Sequence, residues 1–389
     1  MATPERQTTL LIAAGTALLP LQIWPPMPLP GMQLSDLFFA LAFAHFLVTR
    51  RALPPAGIAV PIVAFAAGVA ASTLFGGSPV KLLGHLMLAA LGWMAVCAPP
   101  EGSRMLRRAL VAAAALAALT AMATVAGFFA GVIGYDAAGN PDSPLLYIHG
   151  ALVSDHYPRP RGTMVTGALL TSLVATGFAL LWFERELVPD RWVRGLIFAL
   201  CALTLFFAFS RTMATFALVL ACAELWRRDS PPWARGALAS VAVVYVAALW
   251  ISLRYHVVLN PTEPWAVDVL ASDGDRFGRW RIAVATIAEN PVLGVGPGIR
   301  VADGWSAHNT WLNLWAGIGI VPLVAFAFLM LASLRAAIRA QWLGVACALT
   351  VALIESSYND IEDLRHVWLL IGIALGAAPG AGRVRRSRA

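Results

Sequence analysis

The sequence is poor in charged residues. Only 13% of its 389 residues are Asp, Glu, Lys or Arg, whereas 59% are hydrophobic and the mean hydropathy is +0.73. Soluble domains carry about 25% charged residues, so this composition excludes a water-soluble surface. Apolar runs of about 20 residues recur along the chain, and each is long enough to cross the hydrocarbon core as a helix. The sequence therefore predicts a polytopic all-α membrane protein, because a barrel would need short alternating strands instead.

Lysine and cysteine are also scarce. Lys81 is the one lysine among 28 basic residues. The net charge of +7 does not indicate a nucleic acid partner, because membrane topology accounts for most of the arginines. No small-x-small cleavage site follows Met1–Thr9, so we expect an uncleaved first span. The cysteines all lie in apolar runs, which predicts no disulfide, no metal site and no cofactor; they are Cys97, Cys201, Cys222 and Cys347.

About twelve transmembrane spans are predicted, and they make residues 1–389 a single integral membrane domain. Cytoplasmic segments of membrane proteins are enriched in arginine. With both termini placed in the cytoplasm, 18 of the 28 basic residues fall in cytoplasmic segments, and each such segment has at least one. This agreement predicts N- and C-termini on the cytoplasmic side. The predicted spans are 9–24, 33–49, 57–75, 82–98, 109–131, 163–183, 195–209, 211–225, 236–253, 307–333, 341–355 and 367–379.

The remaining basic residues fall on the outer side, against the topological rule, so each needs another explanation. The outer segments hold 14 acidic residues on the same map, which means that these arginines do not form a general basic coat. Two outer segments are long, at 132–162 and 254–306, and loops of this length are commonly functional. The outer basic residues are Lys81, Arg159, Arg161, Arg211, Arg254, Arg276, Arg279, Arg281, Arg300 and Arg365.

The second long loop contains a predicted short amphipathic helix. Ser272 or Asp273 is a suitable N-cap, and Asn290–Pro291 ends the helix. Four residues at spacings of four, three and four share one face, which we expect to pack against the bilayer or the bundle; they are Arg276, Trp280, Ala283 and Ile287.

Several spans are predicted to begin on the outer side with an ionisable residue. A helix start carries partial positive charge and free N–H groups, and both suit anions. If these starts converge, they form a cationic pocket at the outer boundary of the membrane, at the depth of a lipid-linked diphosphate. The residues are Lys81, Arg161, Arg211, His308, Arg365 and His366.

The arginines have two interpretations. Arg211 is either a snorkelling turn residue or a phosphate ligand, and the Arg159–Arg161 pair is either an interfacial anchor or part of the same site. In the loop helix, Arg276 and Arg279 are neighbours while Arg281 points elsewhere, so the three cannot all face one ligand. Pairing with nearby carboxylates or lipid headgroups is the alternative for these three.

The segment around His308 is the strongest candidate for a catalytic base. Ser306 is a suitable N-cap, which would place His308 in the first turn of a helix, where a neutral imidazole is able to take a proton from an attacking hydroxyl. Asn309 and Asn313 are polar companions four residues apart. Gly294–Gly298 fits no phosphate-loop spacing and is interpreted as a tight turn. We expect Asp36, Glu355 and Asp360 to pair with arginines.

Three segments, read together, resemble the O-antigen ligase and polymerase superfamily. The first is Phe209-Ser-Arg-Thr212. The second runs from Arg279-Trp-Arg-Ile-Ala283 to Glu289-Asn-Pro-Val-Leu-Gly-Val-Gly-Pro-Gly298. The third is Ala307-His-Asn-Thr-Trp311 followed by Gly317-Ile-Gly-Ile-Val321. The resemblance covers roughly residues 160–335, and the agreement in order and spacing is more specific than any one motif.

The resemblance implies a lipopolysaccharide O-antigen ligase with a GT-C-like membrane fold. Such enzymes transfer a glycan from undecaprenyl diphosphate to the lipid A–core oligosaccharide, at the periplasmic face of the bacterial inner membrane, without a nucleotide sugar or metal. Carried over to this sequence, the resemblance implies that the diphosphate is held by Arg161, Arg211 and an arginine of 276–281. His308 activates the acceptor hydroxyl or positions the leaving group. Direct attack by the acceptor inverts the anomeric centre. Arg159, Lys81 and Asn309 complete the predicted substrate-binding set.

Three alternatives remain open. O-antigen polymerases are described with an Arg, ten residues and then Gly, but Ser172, Asn290 and Val292 stand at that distance from Arg161, Arg279 and Arg281. Protein O-oligosaccharyltransferases tend to have an added C-terminal region, and this chain stops soon after its last predicted span. Both departures favour the ligase. A secondary transporter is the alternative of another class, but transporters place their charged residues near the midplane on broken helices.

Overall fold

The fold was analysed in a computed structural model of the chain. It describes residues 3–22, 32–49, 53–132, 147–148, 160–208, 210–227, 264–298 and 306–377, with a few isolated positions between 232 and 243. Arg159, most of the predicted 132–162 loop and most of the predicted span 236–253 lie outside these residues.

Helices dominate the described part of the chain, and one short strand pair accompanies them. Strands β1 (Tyr147–Ile148) and β2 (Pro160–Gly162) pair antiparallel. The helices are α1 Pro4–Ala17, α2 Leu34–Thr49, α3 Ala56–Thr73, α4 Pro79–Val96, α5 Pro100–Phe129, α6 Gly167–Phe183, α7 Arg191–Ala208, α8 Arg211–Trp226, α9 Pro264–Glu289, α10 Thr310–Ile318, α11 Ile320–Arg339, α12 Leu343–Glu355 and α13 Arg365–Gly376.

The long apolar helices identify a membrane protein. Among the described residues, five helices are long and apolar enough to cross a bilayer, namely α3, α4, α5, α7 and α11. Helices α2, α6, α12 and α13 are apolar but shorter. Helices occupy the described span positions, which confirms an α-helical membrane protein; the number of crossings and the GT-C-like topology stay predictions.

One predicted span is wrong in detail, because 307–333 is two helices. Gly319 has a φ of +88° and separates α10 from α11. A Cβ at this position would lie 2.1 Å from the Val292 carbonyl oxygen, so no side chain fits. The Ile320 N–H donates to that same carbonyl at 3.2 Å. The break is therefore stabilised by the neighbouring 291–298 segment.

Close helix packing uses small residues and clusters of aromatic rings. A Cβ on Gly177 of α6 would meet Ala114 of α5 at 2.1 Å, so these two helices approach almost to backbone contact. The indole of Trp368 on α13 lies 4.9 Å from Phe65 and 5.6 Å from Phe326, measured between ring centroids. These rings join α3, α11 and α13 in the core of the bundle.

The bundle has two distinct ends. At one of them, here called the Glu184 end, Arg107 of α5 forms an ion pair with Glu184, which follows α6, and lies 4.3 Å from the ring centroid of Trp342. Both charged side chains are buried. Helices α8 and α12 run from one end of the bundle to the other. Near the end of α8, Glu224 accepts a hydrogen bond from Trp182 of α6. At the start of α8, Thr212 donates to Glu355, the last residue of α12. The end that holds Thr212 and Glu355 is called the His308 end.

Candidate functional site

At the His308 end, a single turn connects several helix starts. This turn, residues 356–364, joins α12 to α13 and is here called the acidic turn because it holds Asp360, Glu362 and Asp363. It contacts α4, α8 and α10 through side-chain pairs described below. Several of the predicted helix starts therefore converge, but they converge on carboxylates as well as on cations.

His308 faces the carboxylate of Asp360. Its Nδ1 atom lies 3.5 Å from Asp360 Oδ2 and 3.5 Å from the Ser306 hydroxyl, which itself donates to Asp360. The imidazole is 38% exposed, and no hydrogen bond to its Nε2 atom is formed by the residues that the structure describes. The ring is thus held through Nδ1, and more than a third of the side chain is exposed.

The predicted N-cap of this helix is wrong. Helix α10 begins at Thr310, and its N-cap is Asn309, whose Oδ1 atom accepts from the Leu312 N–H at 3.1 Å. Asn309 also donates to the Ser357 carbonyl at 3.0 Å. His308 consequently lies one residue before the cap, with a φ of +49°. This left-handed conformation is uncommon for a residue with a side chain and often accompanies a functional constraint.

Asn313 connects the backbone beside His308 to the Asp360 carboxylate. Its Oδ1 atom accepts from the Ala307 N–H at 2.8 Å, and its Nδ2 atom donates to Asp360 Oδ1. The Ala307 carbonyl accepts from the Trp280 indole at 2.8 Å. The position of His308 is thus determined from both sides, by Asp360 and by helix α9.

Thr310 connects α10 to the rest of the acidic turn. Its N–H donates to the carbonyls of Ser356 and Asn359, and its hydroxyl donates to the Glu362 carboxylate at 2.9 Å. Burial raises the pKa of Glu362 well above its ordinary value, and the neighbouring carboxylates of Asp360 and Asp363 raise it further. The turn therefore concentrates three acidic side chains within four residues.

Arg211 lies at the start of α8, next to the other side of the acidic turn. Ser210 caps this helix by accepting from the Met213 N–H at 3.3 Å. Thr212 donates to Glu355 at 2.8 Å, and the Thr215 hydroxyl lies 2.9 Å from the Tyr358 hydroxyl. The pKa of Tyr358 is raised, mainly by burial, while the positive charge of Arg211 acts in the opposite direction. Arg211 is exposed and lies within electrostatic reach of the turn.

Two other predicted cations face carboxylates. Lys81 Nζ is 4.0 Å from Asp363 Oδ2, with both side chains more than half exposed. Arg365 makes two hydrogen bonds to Asp36, at 2.6 and 2.7 Å, which confirms the expected partner for that carboxylate. His366 is buried, with Nε2 3.1 Å from the Ser172 hydroxyl. Of this group, Lys81 is the cation most open to solvent.

Helix α9 is longer than predicted but buries the predicted face. It begins at Pro264, so Ser272 and Asp273 lie within it and do not cap it. Ala283 and Ile287 are buried in a small cluster with Ala307 and Ala316, to which Trp280 adds its ring. The side chains of Arg276 and Arg279 are partly buried, whereas Arg281 is exposed. As predicted, Arg281 therefore differs from the other two.

The glycine-rich segment is the tight turn that was predicted. Gly294, Gly296 and Gly298 have φ values of +66°, +110° and +78°. The Val295 and Gly296 N–H groups donate to the carbonyls of Ala316 and Gly317, and the Ser78 N–H donates to Pro297. The turn thus joins the start of α4 to the break between α10 and α11.

Arg161 is placed near α5 and α6 by strand β2. Its Nη1 atom donates to the Val165 carbonyl at 2.6 Å, just before α6 begins. The Val165 N–H donates to the side chain of Gln22 at 2.9 Å. The structure thus connects Arg161 to the segment just before α6.

Asp360 is the main residue that the sequence analysis assigned incorrectly. It was expected to pair with an arginine, but it faces His308 and accepts from Ser306 and Asn313. The available signal was Glu355, Asp360, Glu362 and Asp363 within nine residues, between two apolar runs. Carboxylates at that density near a span end indicate a functional site rather than a lipid-facing turn.

Comparison with known proteins agrees with this geometry. Residues 196–327 match the family model described as O-antigen ligase. The match covers well under half of the chain but includes Arg211, the arginines of α9, the glycine-rich turn and His308. No curated protein matches the chain.

This match confirms the resemblance found in the sequence. The chain is a helical membrane protein, and its residues 196–327 are similar to the O-antigen ligase family.

Proposed function

We propose that this protein is an O-antigen ligase of the bacterial inner membrane. It transfers a finished glycan from undecaprenyl diphosphate to the lipid A–core oligosaccharide at the periplasmic face. The observation that carries the proposal is the His308–Asp360 pair, 3.5 Å apart, whose histidine lies within the segment that matches the O-antigen ligase family. The periplasmic placement rests on the distribution of arginines, which puts the His308 end outside.

His308 is proposed to act as the general base. The Asp360 carboxylate favours the tautomer with a proton on Nδ1 and stabilises the imidazolium that forms when Nε2 takes a proton. The acceptor hydroxyl oxygen then bonds to the anomeric carbon of the donor. The bond from that carbon to the diphosphate oxygen breaks, and the diphosphate leaves with the electron pair. Attack opposite the leaving group inverts the anomeric centre.

The arginines are proposed to stabilise the leaving diphosphate. Arg211 and Arg161 near helix starts, together with Arg276 or Arg279, supply preorganised positive charge for the oxygens on which negative charge develops. Lys81 and Arg159 are proposed as further contacts to the donor, and Asn309 as a glycan contact. Arg365 already forms two hydrogen bonds to Asp36, so we assign it to the scaffold.

The charges at the His308 end favour this chemistry over transport. A donor that already carries a diphosphate needs charge stabilisation and one proton transfer, and it needs no metal. The acidic turn lies beside Lys81 and Arg211 where helices begin, and the ends of membrane-spanning helices lie at the depth of lipid headgroups. Polymerase and protein O-oligosaccharyltransferase activity would use the same groups and differ in the acceptor.

Lipopolysaccharide from a strain that lacks this gene tests the proposal. Loss of all O-antigen bands, with lipid-linked polymer accumulating, supports the ligase. A core that bears a single repeat indicates a polymerase, and an unchanged ladder contradicts both.

Complementation of that strain tests the assigned residues. His308→Ala and Arg211→Ala should not restore the bands although the proteins are expressed. His45→Ala and Arg227→Ala are matched controls at the opposite end of the bundle and should restore them. Restoration by His308→Ala would contradict its role as the base.

A further inference from the structure

Glu355 is a buried carboxylate between the two halves of the candidate site. It is 1% exposed and ends α12, directly before the acidic turn. Its Oε1 atom accepts from the Thr212 hydroxyl at 2.8 Å and from Asn359 Nδ2 at 3.0 Å. One carboxylate oxygen therefore contacts both the start of α8 and the acidic turn.

The contacts continue from Asn359 to the helix that follows His308. The Asn359 carbonyl accepts from the Thr310 N–H at 3.2 Å and lies 2.9 Å from the Thr310 hydroxyl oxygen. Thr310 is fully buried and is the first residue of α10. A chain of hydrogen bonds thus runs from Thr212, beside Arg211, through Glu355 and Asn359 to Thr310, two residues after His308.

Burying the Glu355 carboxylate between these helices costs free energy. Burying a polar group brings a desolvation penalty that its hydrogen bonds only partly offset, and an apolar side chain of similar volume is often equally stable or better. What the hydrogen bonds to Glu355 Oε1 add is a defined geometry, whereas its buried Oε2 atom accepts no hydrogen bond from the described residues. At this position the geometry concerned is the separation between the start of α8 and the start of α10.

We infer that Glu355 is a positioning residue that sets the placement of Arg211 relative to His308. This inference rests on the proposed function and deepens it, because Arg211 is assigned to the diphosphate and His308 to the acceptor. Each half of the site is able to bind its own ligand alone. Transfer requires Arg211 and His308 to lie at the correct distance from each other. A misplacement of about 1 Å lowers the rate on the order of 10²-fold.

The inference predicts a specific kinetic pattern. Glu355→Ala should lower kcat for transfer about 10²-fold, while KM for the donor and for the acceptor changes by less than about 3-fold. Glu355→Gln retains an acceptor oxygen for Thr212 and Asn359 and should restore kcat to within about 5-fold of the wild type. Thr212→Val is close in shape and removes one link of the chain, so it should behave like Glu355→Ala.

Glu224→Gln is the matched control. Glu224 is also a buried carboxylate, 2% exposed, and accepts from the Trp182 indole at 3.1 Å. It lies on the same helix as Thr212 but about 18 Å away along the axis. Its replacement should leave kcat unchanged, and all rates are normalised to the folded fraction of each purified protein.

A second readout does not depend on turnover. If Thr212 and Glu355 stabilise the protein through one contact, Thr212→Val and Glu355→Ala should each lower Tm by about 2–4 °C, and the double variant should melt close to Glu355→Ala alone. Additive shifts would overturn the inference whether or not the protein is a ligase.

The two kinds of failure are distinguishable. If His308→Ala and Arg211→Ala abolish transfer while Glu355→Ala transfers at the wild-type rate, the ligase stands and the positioning role is refuted. A fall in kcat for Glu355→Ala that Glu355→Gln does not restore also refutes it, because the hydrogen bonds would then not be the cause. If the wild type transfers nothing, the proposed function fails, and non-additive Tm shifts still support the link between the two helix starts.

Discussion

Both ends of the bundle carry carboxylates next to cations, yet the two ends are built differently. At the Glu184 end, the partners Arg107 and Glu184 are each less than 10% exposed, and Trp342 covers the guanidinium. At the His308 end, His308 and Asp360 are partly exposed, at 38% and 26%, and several helix starts surround them. The two ends therefore share residue types and differ in exposure, and of the two pairs the one at the His308 end is more open to a ligand.

The first prediction concerns the Glu184 end and has the largest expected effect. Arg107→Ala should destabilise the protein by roughly 3 kcal/mol, because it leaves a buried carboxylate without its cation. Uptake of a proton by Glu184 limits the loss. Thermal unfolding in detergent measures it, and the transfer rate per folded molecule should stay at the wild-type level. A specific loss of rate would mean that the two ends are coupled.

The second prediction concerns the His308 end, where a substitution should lower the transfer rate and change the stability little. Asp360→Asn retains much of the local shape but removes the charge that we propose stabilises the imidazolium, so the transfer rate should fall about 10²-fold. Tm should change little, since the carboxylate is partly exposed. A large drop in Tm with an unchanged rate per folded molecule would show that Asp360 belongs to the scaffold, like Glu184.

A smaller effect is expected from the cap of α10. Asn309→Ala removes the acceptor for the Leu312 N–H and should cost about 1 kcal/mol. Asn309→Asp also caps a helix and serves as the control. Equal Tm values for the two variants would argue against a capping role.

The smallest effect concerns pH. Burial raises the pKa of Glu184 from 4.5 to about 7, although the charge of Arg107 opposes the shift. A raised pKa means that the folded state holds the proton more tightly. The associated stability is therefore complete below pH 4.5 and is lost as pH rises through about 7. Tm of the wild type should fall by a few °C between about pH 6 and about pH 8, and Glu184→Gln should reduce this difference.

An unchanged pH response in Glu184→Gln would assign the titration to another group. Glu362 is the alternative, since burial and two neighbouring carboxylates also raise its pKa. Glu362→Gln is the variant that separates the two ends.

Local sequence patterns predicted the helices better than they predicted the contacts between helices. The periodicity of Trp280, Ala283 and Ile287 correctly gave the buried face of α9, because a helical repeat is visible within a few residues. The pairing of His308 with Asp360 joins positions 52 residues apart, and no local repeat encodes it. The N-cap was misplaced because Ser306 and Asn309 are both good caps, and only the contacts with Ser357 and Leu312 select Asn309.

The break at Gly319 was missed for a related reason. Residues 314–332 are continuously apolar across Gly319, so hydropathy alone predicts one span. The physical cause of the break is the Val292 carbonyl, which comes from a segment more than twenty residues earlier and occupies the space of a Cβ.

The glycine-rich turn also limits how this protein is able to change over generations. At Gly294, Gly296 and Gly319 an added Cβ would meet backbone atoms at 2.6, 2.2 and 2.1 Å, and backbone atoms do not move aside as side chains do. Mutations at these positions are therefore expected to be removed by selection. Variation among related sequences should concentrate at positions where an added atom meets no backbone.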